Sequence, residues 1–427
     1  MNDRVDAWYL IQTPIDPRRA AELMASEQSI GSFKRVQGET DDVVARFGGR
    51  VDDVQVIANG DEPALDTAMP GIPARGQYAS ARVKISFPAE NFSNNVSSLF
   101  AILMGNLYEL RELSGLRLLD FELPREFSAQ FVGPAFGVDG TRAIAKVDTG
   151  PIIGTIIKPK LGLTPPQIGA LVEQLGEAGI QFIKDDECMT NPSSAPFFQR
   201  VDAVCDALER VADRFGQKPM YAFNISDDSD QMMRNHDHVV SRGGLCVMVS
   251  VNACGPSAIA GFRKHSQLPI HGHRAGWGML TRHPYLGMDF IPYQKLWRLA
   301  GVDQLHIGGL QSKFFEDDES VAASGRACLN AADGLRPMMP VISSGQWGGQ
   351  APATYAALKS QDVIYLAGGG VLGHPLGPQA GVSALKQAWQ AAVDDIPLLE
   401  YARHHPELMA SIETFGNLRA ERTTTHD

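Results

Sequence analysis

The chain has 427 residues, enough to bury a large core and to form two domains. Hydrophobic residues make up 44% and charged residues 20%, as in an ordinary globular protein, and the net charge of -11 argues against a nucleic-acid partner, which needs a basic face. No apolar run approaches the roughly 20 residues that span a bilayer, the amino terminus shows no signal peptide, and five scattered cysteines (Cys188, Cys205, Cys246, Cys254, Cys328) without metal-finger spacing suggest reduced thiols in a cytoplasm.

The first third reads as mixed α and β. Residues 54–57 and 81–85 look like strands, and 94–103 and 108–113 look helical. From about residue 138, short apolar runs alternate with helical segments such as 166–178 and 197–215. The runs are 152–157, 180–183, 220–223, 245–251, 268–270, 304–307, 339–342 and 363–366. Eight βα units over about 270 residues predict a (β/α)8 TIM barrel. A doubly wound open sheet competes, but no GxGxxG follows the first strand. The predicted divisions are 1–137 for a first domain, 138–410 for the barrel and 411–427 for a tail. The polar end of that tail, 419–427, reads as disordered.

The predicted barrel strands end in chemistry. Strand one runs into Lys158-Pro159-Lys160, and strand two into Lys184-Asp185-Asp186-Glu187. Strand five runs into His271-Gly272-His273-Arg274, and strand six contains His306 and ends in Gly308-Gly309. Strand seven ends in Ser343-Ser344-Gly345, and strand eight in Gly368-Gly369-Gly370. Each has an ordinary structural reading: a surface lysine, a salt bridge, a satisfied histidine, a glycine that turns the chain. Six together at the catalytic rim of one barrel point to a site. Glycine-freed N–H groups after strands seven and eight suit a phosphate, and Arg274 and His306 suit a second anionic group. Asp186 and Glu187 offer Mg2+ the oxygen ligands it prefers.

These motifs carry a family resemblance. Residues 154–163, GTIIKPKLGL, are very similar to the strand-one motif of the RuBisCO superfamily, and Lys184–Glu187 resembles its activation motif. His271–Ala275, Gly287–Phe290 and Gly368–Pro375 resemble further segments in the same order. The resemblance implies a ferredoxin-like α+β domain followed by the barrel. It also implies Mg2+ held by carbamylated Lys184, with CO2 as the source of the carbamate, and by Asp186 and Glu187. Lys158, Lys160, His273 and Lys313 are then candidate catalytic residues. Glu27, Asn106, Arg274, His306, Ser343, Gly345, Gly369 and Gly370 are candidate substrate contacts, with Glu27 and Asn106 reaching a neighbour's barrel in a homodimer or a multiple of it.

The departures shape the expected activity. Phe33 stands where carboxylating RuBisCO has tryptophan, Ser32 where it has threonine, Ile156 for a threonine and Ser344 for a glycine. The loop 308–316, GGLQSKFFE, keeps Lys313 but loses the residues around it. The resemblance therefore implies a RuBisCO-like protein that enolises a phosphorylated sugar acid rather than fixing CO2. The branch acting on 3-oxo-isoapionate 4-phosphate is the favoured expectation. A 2,3-diketo-5-methylthiopentyl-1-phosphate enolase or methylthioribulose-1-phosphate isomerase, an authentic carboxylase and a non-catalytic regulatory protein stay open. Retained Lys184, Asp186 and Glu187 count against the last.

Overall fold

The computed structural model describes residues 3–31, 35–65, 76–331 and 334–423, with side chains to residue 416. The chain divides into two compact units. One comprises Met1–Gly133, Gly276–Ala300 and Ala332–Leu335, and the other Pro134–Ala275, Gly301–Ala331 and Arg336–Asp427.

The first unit is built on a five-stranded sheet. Its strands are β1 (Arg4–Thr13), β2 (Arg50–Gly60), β3 (Tyr78–Pro88), β4 (Gly115–Glu122) and, from later in the chain, β10 (Leu286–Met288), in the order β10-β4-β1-β3-β2. β1 pairs antiparallel with β3 and β4, while β10 runs parallel to β4. Central β1 buries Val5, Ala7, Tyr9 and Ile11, and edge strand β2 is largely exposed. The helix Pro17–Glu27 starts where Asp16 Oδ1 accepts the Arg19 N–H at 2.9 Å, and buries Ala20, Ala21, Met24 and Ala25. Arg117 of β4 donates from Nε to Asp289 Oδ1 at 2.5 Å, and Lys295 donates to Asp120 Oδ1 at 2.8 Å. Those two ion pairs tie the segment 276–300 to the sheet.

The second unit is a closed barrel of eight parallel strands. They are β5 (Ile152–Ile156), β6 (Phe182–Lys184), β7 (Met220–Asn224), β8 (Cys246–Ser250), β9 (Ile270–His273), β11 (Gln304–Gly308), β12 (Met339–Ile342) and β13 (Ile364–Leu366). Ile152, Phe182, Met220, Cys246, Met339, Val341 and Ile364 meet in the barrel core. Each large apolar side chain so buried contributes roughly 1.5–3 kcal/mol. The helix Pro165–Glu177 begins with proline in its first turn, where the missing N–H costs nothing, and Gln167 Oε1 accepts the Thr164 N–H at 2.8 Å. The helix Phe197–Phe215 ends at Gly216, whose φ of 77° suits glycine.

The eight expected barrel strands are present, whereas β1, β4 and β10 were not read from the sequence. The fifth run, 268–270, is displaced: the strand begins at Ile270 and carries on through His273. Residues 108–113 are not a helix. A 3-10 turn covers Gly105–Glu109, after which the chain is drawn to β1: Thr13 Oγ1 donates to the Glu112 carbonyl at 2.7 Å and the Ser114 N–H donates to the Gln12 carbonyl at 2.8 Å. Groups committed there cannot continue a helical ladder. The tail also differs, since the helix Pro406–Thr423 extends into the segment read as disordered. Leu418, Ala420 and Glu421 are good helix formers. Residues 424–427 lie outside the described residues, as do Ser32 and Phe33.

Asp303, immediately before β11, closes the opposite end of the barrel from the charged rim. Fully buried, it accepts N–H groups from Phe136 at 2.6 Å, Gly137 at 3.0 Å and Ile270 at 2.9 Å, and Arg263 Nη1 at 3.0 Å. Replacing Asp303 by alanine leaves a buried guanidinium and three amides without their acceptor. Urea unfolding of Asp303→Ala is expected to show a loss of about 3–5 kcal/mol. A loss under about 1 kcal/mol, the size of an ordinary surface change, would contradict this account.

Candidate active site

β6 delivers its charge through a short, fully buried strand. Phe182 and Ile183 are buried, and Lys184 is 1% exposed. Its Nζ donates to the Asp185 carbonyl at 2.7 Å. Burial drives the Lys184 amine down to about 8, against the opposing pull of Glu187, Asp186 and Asp185 and with help from the Lys158 charge. About a tenth of the amine is therefore neutral at pH 7, far more than for an ordinary lysine, and only a neutral amine reacts with CO2.

Asp185 is a structural post. Its carboxylate accepts Tyr221 Oη–H at 2.5 Å, the Asn224 N–H at 2.9 Å and Arg200 Nε at 3.3 Å, all buried. Asn224 Nδ2 in turn donates to the carbonyls of Asp186 and Glu187 at 3.2 Å. The strand end is thus held from below and from the side, and the next two carboxylates are presented at the rim. Burial pushes the Asp186 carboxyl up, but the hydrogen bonds from Lys158 and from the Cys188 N–H outweigh it and hold Asp186 below its ordinary value.

Lys158, just beyond β5, donates to Asp186 Oδ2 at 2.6 Å and is half-buried. More exposed Lys160 lies 3.9 Å from both Asp186 Oδ1 and Glu187 Oε1. Glu187 Oε2 is 3.6 Å from His273 Nε2. The His273 Nδ1 accepts the Ala275 N–H at 3.2 Å, so a neutral ring carries its proton on Nε2, towards Glu187. Burial, then the positive charges nearby, keep His273 well below the usual histidine range.

Five side chains, Thr141, Gln304, His271, His306 and Ser343, form a neutral wire. Gln304 Nε2 donates to Thr141 Oγ1 at 3.2 Å, so its Oε1 is the acceptor for His271 Nδ1–H at 2.9 Å. His271 Nε2 then accepts from His306 Nε2–H at 2.8 Å, and His306 Nδ1 accepts the Ser343 hydroxyl at 3.0 Å. Burial, then the Lys184 charge, take His271 down to about 3, and burial holds His306 well below its ordinary range. Ser343 donates inward and keeps its lone pairs for other donors.

The glycine loops follow β12 and β13. Gly345 has φ 76° and is exposed. Gly368–Leu372 forms a single helical turn, whose first N–H groups have no acceptor within the turn. A Cβ on Gly370 would lie 2.8 Å from the Gln346 carbonyl and 3.0 Å from Trp347 Cα, so only glycine lets the two loops come this close. Ser344, at the position read as a lost glycine, has φ 79°.

Of the residues singled out in the sequence, Lys158, Lys160, Lys184, Asp186, Glu187 and His273 converge, and His306 joins Ser343 beside them. Arg274 is turned to a carboxylate of its own chain, Glu316. Lys313 is exposed, and its Nζ lies 5.5 Å from the centre of the Phe314 ring. In the first unit, Asn106 Nδ2 donates to Glu27 Oε1 at 3.2 Å, and both are exposed. Sequence reasoning missed Gln304, Asn224, Tyr221 and Glu316. Only Gln304, a lone amide in an apolar strand, offered a local signal.

A closed parallel barrel with lysines, carboxylates and glycine loops gathered at its strand ends has the form of a TIM-barrel enzyme. The family model for the catalytic domain of the ribulose bisphosphate carboxylase large chain matches residues 137–415, and that for its N-terminal domain matches 3–127; the chain belongs to this family. It is 48% identical to a 3-oxo-isoapionate-4-phosphate transcarboxylase/hydrolase of Xanthobacter autotrophicus over 96% of this chain and 99% of the other. It is 43% identical to a 3-oxo-isoapionate-4-phosphate decarboxylase of Rhizobium etli, over 96% and 98%. Among solved structures, a rubisco-like protein from Burkholderia fungorum superposes with a TM-score of 0.91 at 43% identity, covering 97% of this chain and all of the other. A dimeric archaeal Rubisco from Hyperthermus butylicus gives 0.83 at 28%, covering 97% and 96%. No described helix is long and apolar enough to cross a membrane.

Proposed function

We infer that the chain converts 3-oxo-isoapionate 4-phosphate to 3-phosphoglycerate and glycolate. The observation that carries this is the buried, readily neutralised Lys184 amine beside Asp186 and Glu187 at the barrel rim. Similarity to the transcarboxylase/hydrolase across nearly the whole chain supports the substrate.

A Lys184 carbamate with Asp186 and Glu187 makes an all-oxygen donor set, which fits Mg2+. When bound, Mg2+ supplies Lewis-acid polarisation of the substrate ketone. The glycine loops hold the phosphate through backbone N–H groups, and Ser343 accepts a substrate hydroxyl proton in a hydrogen bond. A 3-oxo acid breaks its C1–C2 bond with the electron pair kept as an enolate across C2 and C3. Lys158, a cation on the exposed side of Asp186, stabilises that charge. Two outcomes follow from the one enolate. Protonation at C2, with Lys158 as proton donor, completes a decarboxylation. Return of CO2 to C3 makes C2 the ketone as its hydroxyl proton passes to the oxygen on C3, with the Nε2–H of neutral His273 placed to donate a hydrogen bond to that oxygen. Water then adds to C2, the C2–C3 bond breaks, and C3 takes a proton, giving glycolate and 3-phosphoglycerate. We favour this second outcome on the higher identity. Lys160 orients Asp186 and Glu187, and Glu27 and Asn106 complete a partner subunit's site in a homodimer or a multiple of it.

Turnover of 3-oxo-isoapionate 4-phosphate, a methylthio-sugar phosphate and ribulose bisphosphate by the same Mg2+-and-bicarbonate-treated protein tests the reading. The expected result is 3-phosphoglycerate and glycolate from the first alone. Preference for the thioether compound, or CO2 fixation onto ribulose bisphosphate, would overturn it, and released CO2 with a ketose phosphate would move the chain to the decarboxylase reaction.

Activation should follow the Lys184 amine. Because burial lowers that group to about 8, the neutral fraction, and with it the initial rate of activation at fixed dissolved CO2, rises about tenfold per pH unit below 8 and levels off above it. Lys184→Ala should lose at least about 10³-fold in kcat under every condition. A flat activation profile between pH 6.5 and 8.5 would contradict the assignment.

Co-expressing Asn106→Ala chains with Lys184→Ala chains tests the shared site. Half of randomly paired dimers carry one intact site, so about a quarter of the wild-type activity should return. No recovery in dimers shown to be mixed would refute partner completion.

A further inference from the structure

Beyond β9, the Arg274 guanidinium is gripped by a carboxylate of its own chain. Nη1 donates to Glu316 Oε1 at 2.9 Å and Nη2 donates to Glu316 Oε2. The two side chains are only 8% and 7% exposed. Glu316 comes from the segment between β11 and the helix Asp318–Leu329. The backbone is shaped around the pair. Gly308 has φ 100°, and a Cβ there would lie 2.7 Å from Arg274 Nη2. The Nη1–Nη2 edge, which binds phosphate or carboxylate two bonds at a time, is therefore taken.

We propose that Glu316 is a resident carboxylate that fills the anion position at Arg274 and removes the advantage that a bisphosphate would otherwise have over a monophosphate at this site. The proposal rests on the reading that the glycine loops hold the one phosphate. A second phosphate at Arg274 would have to break the buried pair and leave Glu316 unpartnered beside a dianion, which is costly. The nearby cations do not offset it: Lys158 and Lys160 face Asp186 and Glu187. The same arrangement suits a 3-oxo acid. A carboxylate that must leave as CO2 reacts more slowly when an arginine fork stabilises its ground state, and Glu316 keeps that fork occupied.

Calorimetric titration of the whole protein with ribulose 5-phosphate and ribulose 1,5-bisphosphate reads the selectivity directly. In the wild type the two should bind within about threefold of each other. Glu316→Ala opens the fork, and the bisphosphate should then bind at least about tenfold more tightly than the monophosphate. Adding Arg274→Met to Glu316→Ala should return the ratio to the wild-type value. A wild type that favours the bisphosphate tenfold, or a folded Glu316→Ala with an unchanged ratio, overturns the proposal. If circular dichroism shows that Glu316→Ala does not fold, Glu316→Gln, which keeps the shape without the charge, takes its place under the same criteria, and the wild-type ratio decides if neither folds. Binding of neither sugar phosphate to the wild type overturns the phosphate reading and this proposal with it. Turnover of 3-oxo-isoapionate 4-phosphate is a separate measurement, so failure of the assigned substrate and failure of the blocked second anion position are distinguishable.

Discussion

The site depends on one arrangement, an amine buried at the end of β6 with three carboxylates following it in the chain. Burial and the neighbouring acids pull that amine in opposite directions, and burial prevails. A lysine on the surface would stay charged near neutral pH and would not take up CO2. A lysine buried without acids would have no partners with which to hold a cation. Asp185 makes the balance possible, because it is spent on Tyr221, Asn224 and Arg200 and fixes the strand end. Asp186 and Glu187 are thereby left for the rim.

Charge on the rest of the rim is kept low. Histidines 271, 273 and 306 are held neutral by burial, and their hydrogen bonds fix which nitrogen carries each proton. Arg274 is matched by Glu316. In the proposed reaction, recognition of phosphate would fall to the uncharged N–H groups of the loops after β12 and β13. Such a rim suits a substrate with one phosphate and a reactive carboxylate better than one with two phosphates.

Much of this was legible in the sequence because the barrel writes itself locally. Apolar runs such as 220–223 and 339–342 mark buried parallel strands, and the charge that follows each run marks the rim. The Lys184–Glu187 cluster could be read for the same reason. The first unit was less legible. β4 carries Arg117 and Asp120, polar positions that make sense only with Asp289 and Lys295, some 170 residues away. Glu316 was hidden in the same way, since an acidic run at the start of a helix looks like a solvated cap, and its partner lies in another strand-end loop. The tautomers of His271 and His306 depend on Gln304 and Thr141: Thr141 lies far from both in the chain, and Gln304, though two residues from His306, acts on it only through His271.

The central claim is that Lys184 is the residue that takes up CO2. Carbon-13 NMR of the protein equilibrated with labelled bicarbonate and Mg2+ at pH 8 tests it most directly. The account predicts a single carbamate carbonyl resonance that persists when labelled bicarbonate is diluted with unlabelled on the time scale of the measurement, and that is absent in Lys184→Ala. A wild-type spectrum without such a resonance, or an unchanged resonance in Lys184→Ala, would contradict it.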